Sequence, residues 1–139
     1  MQTFRYADSF KVSELAEMAR EFPNGGRLCF HPFDFNEVQI MLIHSPANAT
    51  YPIHRHLDVD EFYIILQGTM ILRTYGDGDE PANTSIETSL GNEEQQISAF
   101  QRVPKSVWHT VISGPGESLF FLEVKGGNWQ PKMTRFHNS

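Results

Sequence analysis

Apolar and polar positions alternate with a period near two along most of this chain, the spacing of half-buried β-strands. Strands are predicted over 27–31, 36–44, 51–56, 61–67, 69–75, 85–90, 96–103, 107–113 and 118–125. Turn signals separate them. Gly68 marks a hairpin into 69–75, Gly76-Asp77-Gly78-Asp79 ends that strand, and Gly114-Pro115-Gly116 parts the last two. Before the strands the period is helical. Leu15, Ala19 and Phe22 recur at helix spacing, Ser13 is the expected N-cap, and Glu14 and Glu17 sit near the positive helix end, so 13–22 reads as a short helix. Pro23-Asn24-Gly25-Gly26 stops it. Many short, regularly spaced strands favour an antiparallel sandwich or barrel. The expected layout is an N-terminal arm and helix over 1–26, a barrel over 27–126 and a polar tail over 127–139, anchored by Trp129, Met133 and Phe136.

Composition adds limits. A length of 139 residues suits one domain, and 40% apolar with 20% charged residues suits a globular one. The formal net charge of −6, with no basic cluster, makes nucleic acid an unexpected partner. The single cysteine, Cys29, excludes an intrachain disulfide. No apolar run approaches membrane-span length, and Met1-Gln2-Thr3-Phe4-Arg5 has no signal-peptide pattern. The expectation is a cytoplasmic protein with no membrane partner.

The chemistry gathers between His54 and Gly68. His54 and His56 are two apart, so a strand directs both to one face. Glu61 follows at an odd step, which one continuous strand would send to the opposite face. The polar link Leu57-Asp58-Val59-Asp60 must therefore bend the chain and bring Glu61 round. A fourth ligand is expected from His109, which opens a β-branched run after Pro104. Three imidazoles and a carboxylate suit one divalent transition metal (Fe, Mn, Zn or Ni) and disfavour calcium and magnesium. They leave up to two positions for water or substrate on a six-coordinate ion.

At these residues the chain resembles the cupin superfamily. The first cupin motif is Gly, five residues, His, one, His, three or four, Glu, six, Gly. His54, His56, Glu61 and Gly68 match it, with Asn48 in place of the leading Gly. The second is Gly, five, Pro, one, Gly, two, His, three, Asn. Pro104 and His109 match, while Ser98, Ser106 and Ser113 replace the two glycines and the Asn. The resemblance implies a double-stranded β-helix, a jelly-roll barrel. Over roughly residues 27 to 131 the chain is also similar to the WbuC-type cupin-fold metalloproteins of bacterial surface-polysaccharide clusters. The similarity is carried by Val38-Gln39-Ile40-Met41-Leu42, Val107-Trp108-His109-Thr110-Val111 and Phe121-Leu122-Glu123-Val124-Lys125-Gly126-Gly127. It implies a substrate derived from a sugar or nucleotide sugar. Asn128-Trp129-Gln130-Pro131 departs from that family's acidic, proline-rich end.

Strand alternation ranks further candidates. Tyr63 shares the face of Glu61 and can act as an acid or hydrogen-bond donor, or simply fill the barrel with a satisfied hydroxyl. Gln39, opposite in face to Val38, could reach substrate or the metal's surroundings, or be a solvated edge residue. Arg27 and His31 flank Cys29 on one face. Facing inward, Arg27 could hold a carboxylate or phosphate and His31 could act as acid or base; a polar surface strand is the favoured alternative. Cys29 reads as a small buried hydrophobe. Glu123 and Lys125 share a face of the last strand. They form an ion pair outside, which is the expected placement, or an acid/base couple inside, with Glu123 catalytic and Lys125 binding substrate.

The leading expectation is a metal-dependent enzyme of isomerase or epimerase type. The alternatives are a non-catalytic sugar-binding module and an iron-dependent dioxygenase. A homodimer is expected, because Phe62, Ile64 and Leu66 form an apolar face opposite the metal-facing side chains. Phe4, Tyr6 and Phe10 could add an arm across a partner, and burial of that face under the N-terminal helix is the other outcome.

Overall fold

The computed structural model describes residues 11–21, 26–29, 38–91, 94, 97–127 and 129–137. Within them one helix, α1 (Val12–Arg20), precedes ten strands: β1 (Gly26–Cys29), β2 (Gln39–Ser45), β3 (His54–His56), β4 (Glu61–Gln67), β5 (Met70–Thr74), β6 (Ile86–Leu90), β7 (Phe100–Val103), β8 (His109–Ser113), β9 (Leu119–Lys125) and β10 (Thr134–Phe136). Two five-stranded antiparallel sheets run β1-β2-β9-β4-β7 and β10-β3-β8-β5-β6. They face one another as a jelly roll, the expected all-β architecture.

The alternation seen in the sequence divides this molecule into an inside and an outside. Inward residues of both sheets, among them Cys29, Met41, Tyr63, Leu72, Val111 and Phe121, form one buried cluster. On the outer face of the first sheet Leu28, Leu42 and Phe120 are buried with Leu15 and Met18 of α1, and Leu66 and Leu122 pack at the edge of this group. Helix α1 therefore covers part of the apolar outer face. Its start differs from expectation. Leu15 N–H donates to Lys11 O at 3.1 Å, and Lys11 N–H reaches Glu14 Oε2 at 3.4 Å. Lys11 thus sits at the N-cap and Ser13 lies inside the first turn. Half of a capping box, made by Glu14, replaces the serine cap.

Gly68 does not make the expected hairpin. Strand β4 pairs with β7 and β9, and β5 pairs with β6 and β8, so the turn carries the chain from one sheet to the other. The crossing is tight. Gly68 has φ 84°, and a Cβ there would meet Ser118 O at 2.6 Å. Two of the positions where cupin motifs carry glycine also show why they do. Asn48 and Ser106 have φ of 60° and 70°. Both keep the left-handed turn without glycine, and asparagine tolerates it better than serine. Ser113, in the Asn position, takes over a tethering role: its Oγ accepts from Ala49 N–H at 2.8 Å and donates to Pro46 O.

The tail also departs from expectation. The sheets do not end at the expected barrel boundary of residue 126. A 3-10 turn at Pro131–Met133 leads into β10, which pairs antiparallel with β3 in the register Thr134 to His56 and Phe136 to His54. A segment read as polar tail is therefore an edge strand beside the histidine motif.

Candidate metal centre and its cavity

The link 57–60 bends as the odd spacing required. It carries the chain from β3 in one sheet to β4 in the other, so Glu61 faces His54 and His56 across the barrel interior. His109 opens β8 directly beside His54. One donor atom from each of His54, His56, Glu61 and His109 lies within 4.8 Å of all the others. His56, Glu61 and His109 are buried, and His54 is partly so. Each imidazole holds its Nδ1 in a contact of 2.9 Å: His54 with Pro52 O, His109 with Val107 O and His56 with Thr134 Oγ1. Toward the centre, His109 Nε2 lies 3.1 Å from Glu61 Oε1 and His56 Nε2 lies 3.0 Å from Glu61 Oε2. His56 Nε2 and Glu61 Oε2 nevertheless lack a hydrogen bond of acceptable geometry. Two buried, converging ligand atoms without a proper partner are costly unless a cation satisfies them. The residues present therefore fit a metal ion.

The electrostatics agree. Burial, reinforced by the charge of His109, pushes the His54 imidazole down to about 4, against a weaker opposing pull from Pro52 O. His54 is thus a neutral, ligation-ready base at neutral pH. Burial pushes Glu61 up, but the His109 and His56 imidazoles and Lys125 together hold it well below the usual carboxylate range. Burial lowers His109, and its bond to Glu61 reverses the effect to a net rise.

A cavity of about 370 Å³ opens onto this cluster. His54, His56, Tyr63, Glu123 and Lys125 line its polar side, and Tyr51, Phe121, Trp129 and Phe136 supply aromatic walls. Tyr63 points inward, and its hydroxyl donates to Glu61 Oε1. Burial and the charges of Glu61 and Glu123 raise the phenol well above its usual range, so it acts as a donor.

Glu123 and Lys125 correct the expected outside placement. Strand β9 sits between β2 and β4 in the middle of its sheet, and Lys125 stands level with Glu61, Glu123 with Tyr63. The i, i+2 pair faces the interior because the opposite face carries apolar Leu122 and Val124. Lys125 Nζ lies 2.6 Å from Glu123 Oε1 and 3.8 Å from Glu61 Oε2. Burial and the charge of Glu61 raise the Glu123 carboxyl, and Lys125 only partly offsets them.

The β1 face also turns inward, against the favoured surface reading. Cys29 is buried in the core, as a small hydrophobe, and Arg27 lines the cavity at its exposed rim. Gln39 is buried rather than solvated; it stands level with Lys125 but does not line the cavity. His31 lies outside the described residues, as do Phe4, Tyr6 and Phe10. Sequence reasoning missed Thr134 as a site residue and read Trp129 and Phe136 only as anchors of the tail. Thr134 and Phe136 reach the site on β10, and Trp129 from the segment before it.

No family model matches the chain. No curated protein sequence matches it. Solved structures do. The capsular polysaccharide assembling protein CapF from Staphylococcus aureus superposes with a TM-score of 0.67 at 14% identity, over 84% of this chain and 30% of that one. A cupin-2 domain from Rhodospirillum rubrum gives 0.62 at 11% identity, over 84% and 67%. The fold is the cupin barrel. Oxalate oxidase in complex with the substrate analogue glycolate shares this cupin fold, with a TM-score of 0.61 at 12% identity over 81% of this chain and 55% of that one. The chain spans about a third of the length of the CapF chains. Among its described residues, no helix is long and apolar enough to cross a membrane.

Proposed function

We propose that this cupin-fold chain is a metal-dependent enzyme that moves a proton next to a carbonyl in a small carbohydrate-derived substrate, an isomerase or epimerase type of reaction. The observation that carries the reading is the set of ionisable non-ligand groups (Tyr63, Glu123 and Lys125) on the same cavity wall as the His/Glu cluster. A holding site needs no such groups, whereas proton transfer does. His54, His56, Glu61 and His109 would hold the metal. When bound, it supplies Lewis-acid polarisation of a carbonyl oxygen.

The chain's own groups divide the remaining work. Glu123, its carboxyl raised from the usual carboxylate value, accepts the proton from the hydroxyl-bearing carbon beside the carbonyl. It returns that proton to the former carbonyl carbon while the hydroxyl proton passes to the former carbonyl oxygen. In an epimerisation Glu123 keeps the proton and solvent delivers one to the opposite face. Lys125 orients that carboxylate through its 2.6 Å contact. Tyr63, kept protonated, donates a hydrogen bond to Glu61. Arg27 at the rim suits an anionic group of the substrate. The cavity is near the small end of the roughly 300–1,000 Å³ common for ligand sites, which suits one sugar-sized fragment rather than a whole nucleotide sugar. The aromatic walls suit a sugar's apolar face, and CapF, a capsular polysaccharide assembling protein of the same fold, points the same way. The WbuC-type resemblance supports the same substrate class, and a cytoplasmic location fits it.

The test is exchange of solvent deuterium into ketose or nucleotide-sugar candidates by the metal-loaded protein. Exchange is expected, and Glu123→Gln should slow it by about a hundredfold while leaving metal content unchanged. Ligand binding with no exchange across a broad sugar panel would instead indicate a binding module.

The homodimer is part of the same proposal. Phe62 stacks on Phe100 with ring centroids 5.8 Å apart, and Phe100 is 53% exposed. This pair lies apart from the group packed under α1. Light scattering at micromolar concentration is expected to give twice the chain mass; a monomeric mass would contradict it.

A further inference from the structure

The three imidazoles are not anchored alike. His54 and His109 each place Nδ1 on a backbone carbonyl two residues earlier, at 2.9 Å. A carbonyl only accepts, so it fixes Nδ1–H, and the neutral ring then presents a bare Nε2 to a cation at the centre. Both anchors are built into the local chain. His56 is different. Its Nδ1 meets Thr134 Oγ1 at 2.9 Å, from a residue 78 positions away on β10. A hydroxyl can donate or accept, so it does not by itself choose the tautomer. With the proton on Nε2, His56 would present N–H to Glu61 Oε2, 3.0 Å away. With a cation at the cluster, Nε2 must be bare, and Thr134 Oγ1 then accepts from Nδ1–H.

Strand β10 is a marginal element. It pairs with β3 over three residues, and none of its three side chains is buried. Other ties in this segment are Leu57 N–H to Met133 O at 3.1 Å, His137 N–H to Ile53 O at 2.9 Å and Gln130 N–H to Asp58 Oδ2 at 2.8 Å. Few buried contacts make the docking of such a segment easy to shift. The same segment supplies Trp129, Pro131, Thr134 and Phe136 to the cavity wall.

We infer that Thr134 is a positioning residue through which the C-terminal strand sets His56, so that metal binding and docking of β10 are coupled. The inference rests on the metal reading above. By linkage the coupling is reciprocal: a bound ion tightens β10, and a docked β10 tightens the ion. Metal loading therefore also firms the aromatic wall of the cavity.

The experiment uses the full chain stripped by chelator, with Zn²⁺ as probe. Affinity is read by competition with a chromophoric chelator, and amide hydrogen exchange is followed at His137 and Leu57 with and without Zn²⁺. Thr134→Val keeps the side-chain shape and removes the hydroxyl; it should weaken Zn²⁺ binding about 10- to 100-fold, as loss of a group supporting a ligand does. Thr134→Ser should restore binding to within about threefold of the unmutated chain. Zn²⁺ should slow exchange at both amides about tenfold or more in the unmutated chain and have little effect in Thr134→Val. If the valine chain does not fold, Thr134→Ala carries the same expectation, and the Zn²⁺ response of the unmutated amides decides the coupling without any substitution. Unchanged affinity in Thr134→Val, or amides indifferent to Zn²⁺ while the ion binds, would overturn this inference alone. Failure of the unmutated chain to bind any transition metal would overturn the metal reading beneath it.

Discussion

Replacing His109 with alanine is expected to weaken transition-metal binding by more than about a hundredfold, beyond the usual cost of losing a group that only supports a ligand. His109 is 1% exposed, holds Nε2 3.1 Å from Glu61 Oε1, and lies with its ring centroid 4.3 Å from that of His54. Its loss removes one ligand and leaves the buried Glu61 carboxylate short of a partner. The metal-free protein should therefore also lose about 2–4 kcal/mol, the sum of a lost buried hydrogen bond and a cavity. Metal titration and urea unfolding on the same sample separate the two effects. His56→Ala should lose the ion similarly. Full metal occupancy in both folded variants would show that the ion sits elsewhere.

Lys125→Met is expected to cost the metal-free protein about 3–5 kcal/mol at neutral pH, the range for breaking a buried ion pair from one side. The ammonium is the cation between two interior carboxylates, 2.6 Å from Glu123 and 3.8 Å from Glu61. Burial alone would lower its pKa, and the charges of Glu123 and Glu61 reverse that to a net rise. Removing it exposes Glu123 to the unbalanced effects of burial and Glu61, both of which raise its carboxyl. Between the unfolded carboxylate value and that raised folded value, the folded state then binds more protons than the unfolded state. Stability falls with rising pH in that window, so the variant should recover part of its loss on acidification from pH 7 toward about 5. Urea unfolding at the two pH values is the measurement. A loss under about 1 kcal/mol, with no recovery in acid, would mean that the pair is solvated rather than interior.

The legible part of this protein was its local periodicity. His54 and His56 could be placed on one face because a strand has a fixed period of two. The odd step to Glu61 demanded a bend, and the 57–60 link provides it by changing sheets. The same rule put Tyr63 inside with Glu61. Strand partners were not legible. Gly68 looks the same in sequence whether it closes a hairpin or crosses between sheets; the strand pairing and the close approach of Ser118 O distinguish the two. Glu123 and Lys125 misled because charged strand faces usually meet water. Here the apolar face of β9 is outermost, partly packed with α1, and the charges are balanced inside. Strand β10 escaped notice because three residues with an exposed arginine in the middle carry almost no alternation. Its hydrogen bonds to β3 and its threonine at His56 are long-range facts. Asn48 and Ser106 hold turns that glycine would hold at lower strain, so the motif survived without its glycines because the backbone conformation was kept.

The proton chemistry proposed for this cavity depends on one ion at the His54, His56, Glu61 and His109 cluster. The direct measurement is elemental analysis of protein purified without added metal or chelator, repeated on His56→Ala and His109→Ala. About one transition-metal ion per chain is expected in the unmutated protein, held by the one four-donor cluster among the described residues, with near-zero content in both variants. A metal-free native protein that also refuses iron, manganese, zinc and nickel on titration, or variants that keep their metal, would contradict it.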